Sequence, residues 1–166
     1  MKGILFIIIS FLLLPGCRKK GTGKVEIYLL QSYTTDNDPS NPGLVSINNA
    51  VLQDTPFVRD DEISYYDQQA RSFRIRTNIK QDVQPFGPDK AFAVTVNNAP
   101  IYYGRVHPAY LSSITFGIAT IDPILTGTND LPMRYAFMDQ VPALQQLDKR
   151  NDPAILNALR ATGRLR

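Results

Sequence analysis

His107 is the one imidazole in the chain, set in Val106-His107-Pro108. A nucleophilic hydrolase needs such a ring beside a Ser or Thr hydroxyl, with a carboxylate behind it. Ser112 or Ser113 and Asp122 are close enough in sequence to supply those parts. No Gly-x-Ser-x-Gly elbow accompanies them, and a histidine before a proline is equally an ordinary loop residue. Asp36-Asn37-Asp38 has the opening of a calcium loop. That pattern then needs Gly at its sixth position and Glu at its twelfth, where Asn41 and Ile47 stand. Asp60-Asp61-Glu62 offers three carboxylates for a cation or for acid–base work. Neighbours on a strand point to opposite faces, and an acidic run is equally explained as the solvated start of a helix. Tyr102, Tyr103 and Tyr110, with Phe116, form the densest aromatic group. In one strand Tyr102 and Tyr103 face opposite sides, so one belongs to the core and the other to a surface open to binding. Tyr102, Tyr103 and Tyr110 are therefore the candidate binding residues. With no phosphate loop, dinucleotide fingerprint or zinc spacing, no catalytic set, metal or cofactor is expected.

The elements that must position these residues are short. Lys24 to Gln31 reads as a strand, and residues 32–43, dense in Ser, Thr, Asn, Asp and Pro, as a loop. Ile47 to Gln53 is ambiguous. Phe73 and Ile75 alternate with Arg74 and Arg76, the period of a half-buried strand, and pair with Ile63 to Tyr66 as a hairpin. Residues 79–88 hold one helical turn. Ala91 to Val96 and Ile101 to Val106 flank Asn97-Asn98, residues that tolerate positive φ, and form a second hairpin. Ser113 to Ile121 reads as a further strand. The clearest helix is the last: Asn151 or Asp152 caps it, Pro153 fits its first turn and Gly163 its end, with Ile155, Leu156 and Leu159 on one face. The expectation is a single small α+β domain over residues 24–166. Its antiparallel or mixed sheet has four to six short strands, with the C-terminal helix packed on it.

At 166 residues, 43% hydrophobic and 20% charged, the chain suits one domain. A single Cys excludes a disulfide framework. The first seventeen residues, MKGILFIIISFLLLPGC, carry one cation and then an apolar run from Ile4 to Leu14. That run is too short for a spanning helix, which needs about 20 apolar residues, and it fits the core of a secretory signal. Its end, Leu14-Pro15-Gly16-Cys17, resembles the lipobox of bacterial lipoproteins. The resemblance implies a signal peptide over residues 1–16, cleavage before Cys17 and acyl chains on Cys17, with residues 17–23 as a tether. The membrane would then be a partner through the lipid on Cys17. The net charge of +3 is misleading. Lys2 leaves with the signal, and Arg18, Lys19 and Lys20 lie in the tether, so the domain keeps fourteen cations against fifteen anions. No basic stripe remains for a nucleic acid.

Phe57 to Glu62 and Ile63, followed by a strand pair and by Phe92-Ala93-Val94-Thr95-Val96-Asn97-Asn98-Ala99-Pro100-Ile101, resembles the first periplasmic domain of the SecD/SecDF export proteins. Asn97-Asn98 stands where that family has Asp-Gly. The resemblance covers about 50 residues, from Phe57 to Val106, and implies a mixed α/β sheet. The layout of lipobox, tether and one domain is also similar to that of small Bacteroidetes-type lipoproteins. The expected function is a lipid-anchored, non-catalytic binding module of the cell envelope, on the outer membrane and facing the periplasm, with an envelope protein as its partner. The alternatives are a hydrolase using His107 with Ser112 or Ser113 and Asp122, and a carrier with an apolar pocket near Tyr102, Tyr103 or Tyr110.

Overall fold

A computed structural model describes residues 23–37, 39–40, 43–136 and 141–166. Cys17 and the lipobox lie outside the described residues. The chain folds as an α+β domain whose larger sheet contains β1 (Val25–Asn37), β2 (Val45–Leu52), β5 (Ala91–Val96), β6 (Ala99–Val106) and β7 (Ala119–Ile121). Their order is β2-β1-β5-β6-β7, antiparallel except for β6 and β7. A second, smaller sheet combines β3 (Ile63–Asp67), β4 (Ser72–Ile75) and β8 (Asp130–Pro132). The helices are α1 (Ile79–Val83), α2 (Pro142–Gln145) and α3 (Pro153–Ala161).

Local chemistry accounts for the joints. Asn97 and Asn98 both adopt positive φ, 52° and 64°, and turn β5 into β6. The Asp67 carboxylate accepts from Ala70 N at 2.7 Å in the β3–β4 turn. Asp152 caps α3 through Ala154 N at 2.9 Å, Pro153 follows it, and Gly163 ends the helix at φ 69°. Phe92 and Gly104 pair across β5 and β6. A Cβ on Gly104 would overlap the Phe92 ring, so the ring packs on the partner strand only because that residue is glycine.

The main core lies between the two sheets and α3, built on Ile27, Val58, Ile63, Tyr66, Phe73, Phe92, Leu131, Ile155 and Leu159. A smaller cluster of Leu30, Val45, Ile47, Ala91, Ala93 and Ile118 covers the other face of the larger sheet. Register shifts in β1 near Ser32 bend its second half with β2. The start of β2 then reaches the far edge of the sheet, where Val45 N donates to Phe116 O at 3.1 Å and Phe116 N to Gly43 O at 3.0 Å.

Several expectations need correction. Ser32 to Asn37, read as loop, continue β1, because Thr34, Thr35 and Asp36 find partners on β2, including Asn48 Nδ2 to Asp36 Oδ2 at 2.6 Å. Of the strand expected over Ser113 to Ile121 only Ala119–Ile121 forms; Gly117, at φ 78°, breaks it. Asp60–Glu62 is a 3-10 turn, and Asp60 is no solvated acid. Asp60 Oδ1 accepts from Val25 N at 2.8 Å and pairs with Arg164 Nη2 at 2.7 Å, clasping both ends of the domain. Leu156 is only half-buried, since the α3 stripe facing the core is centred on Ile155 and Leu159.

Candidate functional site

The start of β2, the middle of β6 and the entry to β7 converge on a groove of about 500 Å³. Leu44, Val45, Ile47 and Ile118 give it apolar walls, and Tyr103 adds a half-buried ring. Asp36, Ser46, Leu147 and Lys149 are exposed and mark its mouth. Tyr102, Tyr135 and Arg150 line its deep end. Tyr102 and Tyr103 do point to opposite faces: Tyr102 pairs with Val94 and joins the main core, while Tyr103 pairs with Ala93 and packs on the smaller cluster. The groove reaches both because β7 runs beside β6 only from Gly104 to Val106 and leaves the preceding stretch uncovered by it.

The deep end is organised by charge. Arg150 is 5% exposed. Its Nε and Nη2 grip Asp148 at 2.8 and 2.9 Å, and its Nη1 donates to Met133 O at 2.6 Å. Its guanidinium carbon also lies 5.2 Å from the centre of the Tyr135 ring. Burial pushes the Asp148 carboxyl up, but the Arg150 hydrogen bonds and charge outweigh it and hold it below the usual carboxylate range. Burial raises Tyr102 well above the ordinary phenol range and Tyr135 to about 12, so both remain protonated donors at neutral pH. Neither hydroxyl has a hydrogen-bond partner among the described residues. Leaving a buried polar group unpaired costs about 1–3 kcal/mol, so each weighs against the stability of the fold.

The other candidates fall elsewhere. Tyr110 is 69% exposed and lies beside a separate hollow with Lys80, Phe86 and Ile124. It does not join Tyr102 and Tyr103. His107 Nε2 lies 2.9 Å from Ser113 O, and because a carbonyl only accepts, that nitrogen carries the proton. Nδ1 then accepts from the Thr115 hydroxyl at 3.3 Å. Ser113 thus meets His107 through its backbone, Ser112 is exposed, and neither hydroxyl is positioned by the ring. Asp122 is buried and accepts from Ile124 N at 2.9 Å and Ala109 N at 3.3 Å, work that shapes two loops. The three residues do not form a hydrogen-bonded relay. Asp36 and Asn37 lie in β1, and Asp38 lies outside the described residues.

Tyr135, Asp148 and Arg150 escaped sequence reasoning. Their one sequence signal was the Asp148-x-Arg150 spacing, which any surface ion pair also shows. Comparison with known protein families, curated proteins and solved structures finds no match to this chain, so the groove is read from its own residues.

Proposed function

We propose that this chain is a lipid-anchored binding module of the cell envelope, acting without covalent chemistry and taking its ligand in the groove between β2 and β6. The observation that carries the binding role is the groove itself: apolar walls and a polar mouth are the usual make-up of a small-molecule site. The anchor is read from Leu14-Pro15-Gly16-Cys17. Several acyl chains on one residue make membrane attachment stable, each buried CH₂ contributing about 0.8 kcal/mol. Arg18, directly after Cys17, stands where inner-membrane retention in enterobacterial lipoproteins uses Asp. The basic run Arg18-Lys19-Lys20 is also unlike the acidic run of surface-exported lipoproteins. Both point to an outer-membrane anchor with the domain in the periplasm.

The test is acyl labelling and membrane fractionation of the native chain and Cys17→Ser. Loss of label, with release of the domain or retention of the precursor, supports the anchor. Unchanged label and unchanged membrane association refute it. Protease digestion of the domain on intact cells would count against the periplasmic placement.

A further inference from the structure

Two strand edges are left open where they line the groove, one at Ile47 and one at Tyr103. Val45 N donates to Phe116 O at 3.1 Å, so Val45 directs its backbone polar atoms away from β1. That direction alternates along a strand, and the register with β1 is unbroken from Val45 to Asn48. Ile47 therefore points its N–H and C=O the same way as Val45. Neither group has a hydrogen-bond partner among the described residues. On β6, Val106 N donates to Lys90 O on the β5 side at 2.9 Å, and His107 N to Ile121 O on the β7 side at 2.8 Å. By the same alternation Tyr103 faces β7. The parallel ladder starts at Gly104 and Ala119, which occupies the Tyr103 carbonyl and leaves its N–H without a partner among the described residues.

The gap has a topological cause. Phe116 pairs with Leu44 at the entry to β2, and Ala119 pairs with Gly104 of β6. The segment between them, turned by Gly117 at φ 78°, crosses from one edge to the other and pairs with neither Ile47 nor Tyr103. The Ile47 side chain is buried, yet its neighbours Ser46 and Asn48 are exposed, so the β2 backbone runs at the surface here. A strand edge with free N–H and C=O is a template for another extended chain. Ile47 offers a donor and an acceptor from one residue, which fits a ligand residue that exchanges both hydrogen bonds with it, as in an antiparallel ladder. Peptide units supply that pairing, and a hydrocarbon does not. The side chain of the paired residue would lie on the same face as Ile47, with Val45 and Ile118. A volume of about 500 Å³ suits a drug-sized ligand rather than a folded partner.

We propose that the groove binds a short apolar peptide in extended form, one residue of which exchanges both backbone hydrogen bonds with Ile47. Tyr103 N–H, on the β6 side, supplies a donor for a further carbonyl. The proposal rests on the groove being the binding site and names the class of its ligand. It involves no change in covalent bonding.

The test uses the ¹⁵N-labelled full chain in phospholipid nanodiscs and the probe acetyl-Ala-Val-Ala methylamide. A companion set replaces each residue's N–H in turn by an ester oxygen, which edits the ligand backbone and leaves the protein native. Decane is the apolar control without peptide groups. Binding of the parent peptide should move the amide protons of Ile47 and Tyr103 downfield and slow their exchange with solvent about tenfold or more. At least one member of the ester set should bind about threefold to tenfold more weakly, the effect of one lost hydrogen bond. A peptide that binds while both amides stay unmoved, or a whole ester set that binds as tightly as the parent, overturns the backbone pairing and leaves the groove standing. Decane entering, seen as isotope-filtered contacts to Ile118, while the peptide stays out overturns the peptide class and also leaves the groove. Entry of neither probe overturns both the class and the groove as a small-molecule site.

Discussion

Replacing Tyr102 by Phe in the ligand-free chain should stabilise it, against the general rule that core substitutions destabilise. The Tyr102 ring sits in the main core, and Phe keeps that ring in place. What is lost is a hydroxyl with no hydrogen-bond partner among the described residues. Removing an unpaired buried polar group returns about 1–3 kcal/mol. For a domain of this size each kcal/mol moves the unfolding midpoint by roughly 2–4 °C. The matched control is Tyr66→Phe, in which the same atom is removed from a bonded site, with Arg150 O at 3.0 Å. That change should cost about 1 kcal/mol. Thermal and urea unfolding of the two variants beside the native chain therefore read opposite signs from one chemical edit. If Tyr102→Phe loses stability as Tyr66→Phe does, the Tyr102 hydroxyl is satisfied in the free protein and this reasoning is refuted.

Leu159→Ala should cost about 2–5 kcal/mol in urea unfolding, since Leu159, on the inward face of α3, is fully buried, whereas the exposed Arg160→Ala should change stability by less than about 0.5 kcal/mol; an unmoved midpoint in Leu159→Ala would mean that α3 does not support the core. Gly104→Ala should destabilise by about 1–3 kcal/mol or more through its clash with the Phe92 ring, and Phe92→Leu in the same chain should recover part of that loss if the clash is the cause. Asp148 has a lowered pKa in the fold, so its share of stability is present above the ordinary carboxylate range and is lost as pH falls through the folded value; acid titration of Asp148→Asn should lack that component. Tyr102 and Tyr135 are shifted upward, so the unfolded chain ionises first and stability drops as pH rises above about 10; the double Phe variant should show a shallower alkaline decline.

What could be read from the sequence was whatever local pattern decides. The β5–β6 hairpin follows from two residues that accept positive φ, and α3 follows from its cap, its Pro153 and its Gly163. The alternation Phe73, Arg74, Ile75 placed β4 with its apolar side inward. Where long-range pairing decides, local pattern misleads. Ser32 to Asn37 have loop composition, yet they extend because β2 lies alongside. Asp130–Pro132 is a strand only because β4 supplies an edge. The groove has the same character. Tyr102 and Tyr103 were marked as facing opposite ways, and they do. Tyr135, which lines the same groove as Tyr102, lies more than thirty positions along the chain and is brought there only by the fold. Tyr110, closer in sequence, is carried away by the loop after β6. Asp122 and His107 look like parts of a relay on paper, and each is claimed instead by the backbone of its own neighbourhood.

The central claim is that the groove between β2 and β6 is a binding site. The most direct measurement is a crystal structure of the full chain purified from its own envelope in mild detergent. The account predicts a small molecule along Val45, Ile47 and Ile118. A groove holding only ordered water, or one filled by the chain's own side chains, would contradict it.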